Sequence, residues 1–236
     1  MKILKTRRLG ILADLTPEGA RVADVGTDHA WLPIALVAAG RATSAIGIDR
    51  LPGPLRHAQQ HVARAGLRDR VALRLGDGLR PLGPNEADAV IMAGMGGLNM
   101  AQILREAAPS TLATIHTLIL QPNCDLAALR AHLLDTGWHI HHEQLVEARG
   151  RFYVTLLVRD QPDPDAAPYT EAERCLGRLT PDAPDALARW RDQHASTLQT
   201  RLDAMRLAAE VPPERAEVER ELGWLRDLYG PPARPA

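Results

Sequence analysis

Aromatic side chains are scarce in this chain, with one Phe, three Tyr and four Trp among 236 residues. So few rings exclude recognition of nucleic acid by stacking a long run of unpaired bases. Cysteine occurs twice, as Cys124 and Cys175. Neither stands in a CxxC or a Cys/His array, so no structural zinc and no disulfide framework are expected. No stretch approaches the roughly 18 consecutive apolar residues of a membrane span. The opening MKILKTRRLG leads into no long apolar run either, and the expectation is a cytoplasmic protein with no membrane association. An excess of one charge is lacking as well. At a formal net charge of −1, global electrostatics neither demand nor forbid a polyanionic partner, and the local distribution must decide. Lysine appears only as Lys2 and Lys5; every other basic residue is arginine.

What is present is alternation. Residues 7–15 put Leu9, Leu12 and Ala13 on one helical face. Short apolar strands are predicted over 20–25, 42–49, 70–77, 87–94 and 115–123. Helices are predicted between and after them, over 31–40, 53–66, 99–108 and 125–137, with Gly40 and Gly66 as stops and Asp125 as an N-cap. That order implies a parallel sheet covered on both faces. Two further strands, 138–148 and 151–160, follow with almost nothing between them. A parallel crossover needs a dozen or more residues, so this pair must be an antiparallel hairpin. The layout is that of a class I methyltransferase, an α/β, Rossmann-like fold with a seven-stranded sheet and an antiparallel last strand. It differs at that point from the fully parallel dinucleotide fold.

After Asp160 a proline-rich stretch, QPDPDAAP, leads to two amphipathic helices over 185–210 and 214–230. Leu187, Trp190, His194, Leu198, Leu202 and Met205 recur at three- and four-residue steps, as do Val218, Leu222, Leu225 and Tyr229. A C-terminal helical hairpin is expected, dividing the chain into 1–160 and 161–236. It either packs on the sheet domain or protrudes as an arm that grips a large substrate.

Chemistry gathers at the strand ends. The loop ADVGTDHA carries Asp24, Gly26, Asp28 and His29, one glycine and two acids where a dinucleotide loop carries three glycines. Asp28 would repel a pyrophosphate. A ligand with a carboxylate, an ammonium and a sulfonium suits acids plus a helix start with free backbone N–H groups. The same loop also fits a plain strand–helix turn capped by Asp28. Asp49 ends the second strand, 23 positions after Gly26, where an acid can take both ribose hydroxyls. Asp77, flanked by Gly76 and Gly78, is placed to accept from an adenine amino group. AGMGG, Ala93 to Gly97, lets backbone approach something flat. QPN, with Gln121 and Asn123, lies on the same rim and offers amides that could read a base edge, or an Asn helix cap. His29 is either a structural donor or a titrating group. Cys124 has no base partner, and the HIHH run splits His139 and His141 from His142 across the strand, so no metal is expected.

RRLGILADLTPEGARVADVGTDHAWLPIAL, GPLRHAQQHVARAGL, LRLGDGL, AGMGG and LILQPN together resemble the bacterial tRNA (adenine-22 N1)-methyltransferases, the TrmK family, from about Arg7 through Val158. The resemblance implies S-adenosyl-L-methionine as methyl donor, tRNA as acceptor and a C-terminal coiled-coil arm. It places cofactor contacts on Asp24, Gly26, Asp28, His29, Asp49, Asp77, Gly78, Ala93 and Gly94. Asp49 stands where that family often has Glu.

Adenine N1 carries an in-plane lone pair, so methyl transfer to it needs alignment more than a base. Asn123 and Gln121 are the expected acceptor-side residues, with His29 as the third catalytic candidate. No protein partner is required by this scheme. RNA binding is expected from Lys2, Lys5, Arg7 and Arg8, from Arg56, Arg64, Arg68, Arg70, Arg74 and Arg80, and from Arg149 and Arg151. Competing readings are a methyltransferase for another RNA or a small molecule, a non-catalytic RNA-binding protein on the same fold, and a dehydrogenase.

Overall fold

The computed structural model describes residues 6–207 and 212–232. Lys2, Lys5 and the Val211 end of the predicted interhelical turn lie outside the described residues. The elements in chain order are α1 (Arg7–Leu15), β1 (Ala20–Val25), α2 (Trp31–Ala38), β2 (Ala42–Asp49), α3 (Pro52–Arg64), β3 (Val71–Leu75), β4 (Ala89–Ala93), α4 (Gly97–Glu106), α5 (Pro109–Leu112), β5 (Thr117–Gln121), α6 (Leu126–Asp135), β6 (His139–Ala148), β7 (Arg151–Arg159), α7 (Glu171–Leu176), β8 (Leu179–Pro181), α8 (Ala186–Arg206) and α9 (Arg215–Tyr229).

The sheet runs β3-β2-β1-β4-β5-β7-β6-β8. Strands β1 to β5 are parallel, and β7 is antiparallel to both β5 and β6. The expected seven strands become eight, because β8 adds in parallel to the middle of β6. Three residues following a proline-rich stretch carry too little periodicity to be read as a strand. The sheet therefore continues past the boundary drawn at residue 160. Strand order reverses between β1 and β4, and the crevice at such a reversal is where open α/β sheets bind ligands. Helices on both faces bury β1, β4 and β5, whose residues Ala23, Val90, Ile91, Leu118 and Ile119 are fully enclosed; runs of that kind are what two-sided burial requires.

Helix α1 starts at Thr6, whose hydroxyl accepts from the Leu9 amide, and buries Leu12 and Ala13 against the face covered by α2. Asp125 sits at the start of α6 without capping it: its backbone is left-handed, and its carboxylate accepts from the Cys124 thiol instead. In β6 a bulge between Ile140 and His142 breaks the simple alternation assumed for HIHH. His141 there bonds the Gln161 carbonyl, and His142 bonds the Gln144 amide oxygen.

The C-terminal helices pair antiparallel, Arg191 reaching the Tyr229 carbonyl and His194 lying 2.8 Å from Glu221. The hairpin is docked at its base and has a core of its own. Ala195, Leu198 and Leu202 of α8 close on Val218, Leu222 and Leu225 of α9. At the base, Trp190 and Leu187 pack with Phe152, Leu145 and Val154, and the Tyr229 hydroxyl donates to the Gly177 carbonyl and accepts from the Leu179 amide. A buried ion pair lies beneath: Arg130 of α6 to Glu143 of β6 at 2.8 Å, both side chains almost wholly enclosed.

Candidate active site

The β1–α2 loop turns through three residues of positive φ, namely Gly26, Asp28 and Ala30. A Cβ at Gly26 would meet the Met95 methyl at 3.3 Å, so this glycine sets how closely the β1 and β4 loops approach. The loop's amides are mostly engaged. Gly26 and Thr27 donate to the Ile48 carbonyl, Ala30 to the Thr27 carbonyl, and Asp28 to the Asp49 carboxylate at 3.0 Å. The Gly26, Thr27, Asp28 and Ala30 amides are thus closed, while the first-turn amides of α2, Trp31 and Leu32, have no partner among the described residues, and the rim beside them is rich in acids. Ala30, not Asp28, occupies the cap position of α2.

Asp24 is buried at the end of β1, and burial pushes its carboxyl up to about 6, with the nearby Asp49 charge adding to the rise. Asp49 at the end of β2 accepts from the Asp28 and Leu51 amides, one on each oxygen. A carboxylate offers about four lone-pair directions, so the pair of oxygens still has room for two hydroxyl donors. Asp77 is exposed after β3, and Gly76 donates to the Asp49 carbonyl. A Cβ on Gly76 would fall 2.2 Å from Pro81, and Gly78 packs on Ile103.

His29 stands among rings, with His57 at 5.6 Å and His61 at 5.7 Å between centroids, and Trp31 stacks on His61 at 4.1 Å. Its Nδ1 is buried with no hydrogen-bond partner, and its Nε2 lies 3.6 Å from Asp28. No group of three or more His, Cys, Asp or Glu among the described residues is arranged for a metal ion.

The β4 and β5 loops are laced together. Gly94 donates to the Gln121 carbonyl, Asn123 to the Met95 carbonyl, and Gly97 to the Cys124 carbonyl. The Asn123 side-chain amide donates to the Gly94 carbonyl at 2.8 Å, which leaves its Oδ1 open. A Cβ on Gly97 would lie 2.5 Å from the Asp125 carbonyl oxygen. Cys124 is held as a thiol by its bond to Asp125, which raises its pKa, so the chain keeps it unreactive.

Gln121 corrects the expectation placed on it. It is fully buried, its amide nitrogen donating to the Thr155 hydroxyl at 2.6 Å and its oxygen accepting from Arg8 at 3.2 Å. With both ends engaged it reads no base edge; it positions Arg8.

Beside Gly94 and Asn123 opens a cleft of about 770 Å³, lined by Thr6, Arg7, Arg8, Arg149, Arg151 and Tyr153 among others. Arg8 lies over the Tyr153 ring at 5.4 Å. Arg7 is tied to Asp182. His29 is not part of this lining. Sequence reasoning missed Tyr153, because only the fold brings the β7 strand against α1. One signal was available: Arg7 and Arg8 open a helix, the end where the macrodipole disfavours cations. Of the other arginines expected to meet RNA, Arg70, Arg74 and Arg80 are engaged by Thr43 and Ala42 carbonyls, by Glu86 and by Glu106.

A methyltransferase-domain family model matches residues 5–156. The curated tRNA (adenine(22)-N(1))-methyltransferase of Bacillus subtilis (strain 168) is 38% identical over 162 residues, 69% of this chain and 67% of that protein. The crystal structure of the B. subtilis m1A22 tRNA methyltransferase TrmK superposes with a TM-score of 0.85 at 28% identity, covering 96% of this chain and 99% of that one. The Streptococcus pneumoniae protein Sp1610, in complex with S-adenosyl-L-methionine, superposes with a TM-score of 0.81 at 30% identity, covering 94% and 98%.

Proposed function

The chain belongs to the TrmK family of tRNA (adenine(22)-N(1))-methyltransferases, and from that membership we propose how its residues divide the work. It is an enzyme that transfers a methyl group from S-adenosyl-L-methionine to N1 of an adenine in tRNA. One observation carries the assignment of the donor's seat. The rim at the β1/β4 crevice presents Asp24, Asp49 and Asp77, while the loop amides of Gly26, Thr27, Asp28 and Ala30 are bonded within the protein. A diphosphate would face these carboxylates, whereas a ligand with a positive sulfur and an ammonium is attracted by them, and the open first-turn amides of α2 suit its single carboxylate.

When bound, S-adenosyl-L-methionine supplies a methyl group made electrophilic by the sulfonium. Asp24 holds its ammonium, Asp49 its ribose hydroxyls, and Asp77 with Gly78 its adenine. Gly26, Asp28 and His29 shape the loop over it, and Ala93 with Gly94 forms the wall beside the sulfur. The target adenine enters the arginine-lined cleft. There Asn123, fixed by its bond to the Gly94 carbonyl, turns Oδ1 to the exocyclic amino group and so aims N1. The N1 lone pair would take the methyl carbon without prior deprotonation while the carbon–sulfur bond breaks, leaving neutral S-adenosyl-L-homocysteine and a cationic base, and the protein contributes orientation and exclusion of water. N1 lies on the pairing edge, so the base must first leave its stack, at a cost of about a few kcal/mol.

Incubation of unmodified tRNA with methyl-labelled donor, followed by nucleoside mass spectrometry, tests the reading. The label should appear as 1-methyladenosine. Label on another nucleoside, or none on tRNA, would overturn it.

A further inference from the structure

The turn between β6 and β7 is Arg149–Gly150, both at positive φ, +52° and +71°. Two-residue hairpin turns of that shape favour Asn-Gly or Asp-Gly. An arginine held in the left-handed region breaks the local rule, and breaks of that kind gather where function outweighs propensity. Arg149 and Arg151 are exposed, and neither guanidinium has a hydrogen-bond or ion-pair partner among the described residues. They contrast with Arg70, Arg74 and Arg80, which are engaged.

Strand alternation puts Tyr153 and Thr155 on the α1 side of β7, where they meet Arg8 and Gln121, and puts Phe152 and Val154 on the α8 side. On that second side lies another cleft, of about 290 Å³, lined by Arg151, Phe152, Trp190, Gln193, His194 and Thr197. Its floor is flat. The Trp190 and His194 rings stack at 5.3 Å with 14° between planes, and Glu221 anchors the imidazole. Arg151 and Phe152 line both clefts, so the two lie on either side of the same stretch of β7.

We propose that this second cleft seats a nucleobase flanking the target in the same RNA chain, with the intervening phosphate held over the hairpin tip by Arg149 and Arg151. The inference rests on the reading of the chain as an RNA methyltransferase. It makes the tip a divider: the target goes to one face of β7, its neighbour to the other. That separation holds the extruded base out of its stack. Flat rings suit a base, and two unpaired guanidiniums suit the phosphate beside it.

A photo-crosslinking side chain tests the seat. Thr197→p-benzoylphenylalanine alters an exposed position whose hydroxyl bonds only its own helix, at the Gln193 carbonyl. The crosslink to tRNA should map to nucleotides adjoining the methylated adenosine. A crosslink confined to a distant stem, or none while methylation proceeds, would overturn the proposal. The double variant Arg149→Ala/Arg151→Ala should bind methyl donor as the parent does, yet lose about tenfold or more in kcat/KM for tRNA. Its log affinity should fall less steeply with log salt, the slope being smaller by about 1. An unchanged slope and unchanged kcat/KM would likewise overturn it. If the parent methylates no tRNA, the functional reading fails and this inference fails with it; if the parent methylates and only the tip variant is silent, the functional reading stands alone.

Discussion

Asp24 folds with its carboxyl enclosed at the end of β1, and burial raises its pKa to about 6. The folded value lies above the ordinary one, 3.8, so the fold favours the protonated form. The contribution to stability is fully present below about pH 4 and is lost as pH rises through 6. A cationic donor requires the opposite state, so its affinity should fall as pH drops below about 6, by up to about tenfold per unit. Asp24→Asn removes both dependences. The free variant should be more stable than the parent at pH 8 by about 1–3 kcal/mol and should bind the donor poorly at every pH. Thermal melts at pH 5 and 8, with calorimetric titrations over the same range, check this; a parent with pH-independent affinity would contradict it. At this scale the acids were legible in the sequence, because strand ends and glycine turns announce where a side chain leaves the sheet. Gln121 was not: a Gln beside Asn123 reads as exposed until Thr155 and Arg8 are brought to it from sequence distances of 34 and 113 residues.

Among the elements, α6, β6 and α7 are joined by a buried ionic network. Arg130 of α6 bonds Glu143 and the Cys175 and Leu176 carbonyls that end α7, while Glu143 also accepts from the Tyr169 hydroxyl and the Arg178 amide. Gly177 fits between them because a Cβ would stand 2.4 Å from the Arg130 guanidinium. Arg130→Met leaves the Glu143 carboxylate buried without its partner, and about 3–5 kcal/mol of stability should be lost. Urea unfolding measures this; a loss below about 1 kcal/mol would show that the pair is relaxed by water. The parallel strands and their helices could be read from apolar runs alternating with helical spacing, and the hairpin from its short connection. The short pieces could not be read that way. Helix α7 lies in a stretch whose prolines suggest a linker, although Thr170 and Glu173 form a capping box that sequence does display. Strand β8 has no signal of its own, since it exists only because β6 offers an edge.

Taken whole, the molecule is close to neutral, and its affinity for a polyanion depends on where the arginines are left unpaired. Around the proposed acceptor cleft Arg149 and Arg151 are left open while Arg7 and Arg8 are engaged; elsewhere Arg74 and Arg80 are neutralised by Glu and Arg70 is held by carbonyls. The proposed donor seat lies at the ends of β1, β2, β3 and β4, so filling it should stabilise the fold as a unit. At a donor concentration of 100 times Kd the gain is about 2.7 kcal/mol, a rise in Tm of about 5–10 °C for a chain of this size. NAD at the same concentration should produce none, and a rise with NAD equal to that with the donor would contradict the site assignment. No helix among the described residues is long and apolar enough to cross a membrane.

Strand β8 also closes what would otherwise be a longer free edge. Its three residues shield Glu143, Gln144 and Leu145 in the middle of a ten-residue strand. A chain ending just before Leu179 would leave that stretch of β6 as a bare ladder of backbone donors and acceptors, a template on which a second copy can pair. Truncation there should therefore yield a product prone to clumping.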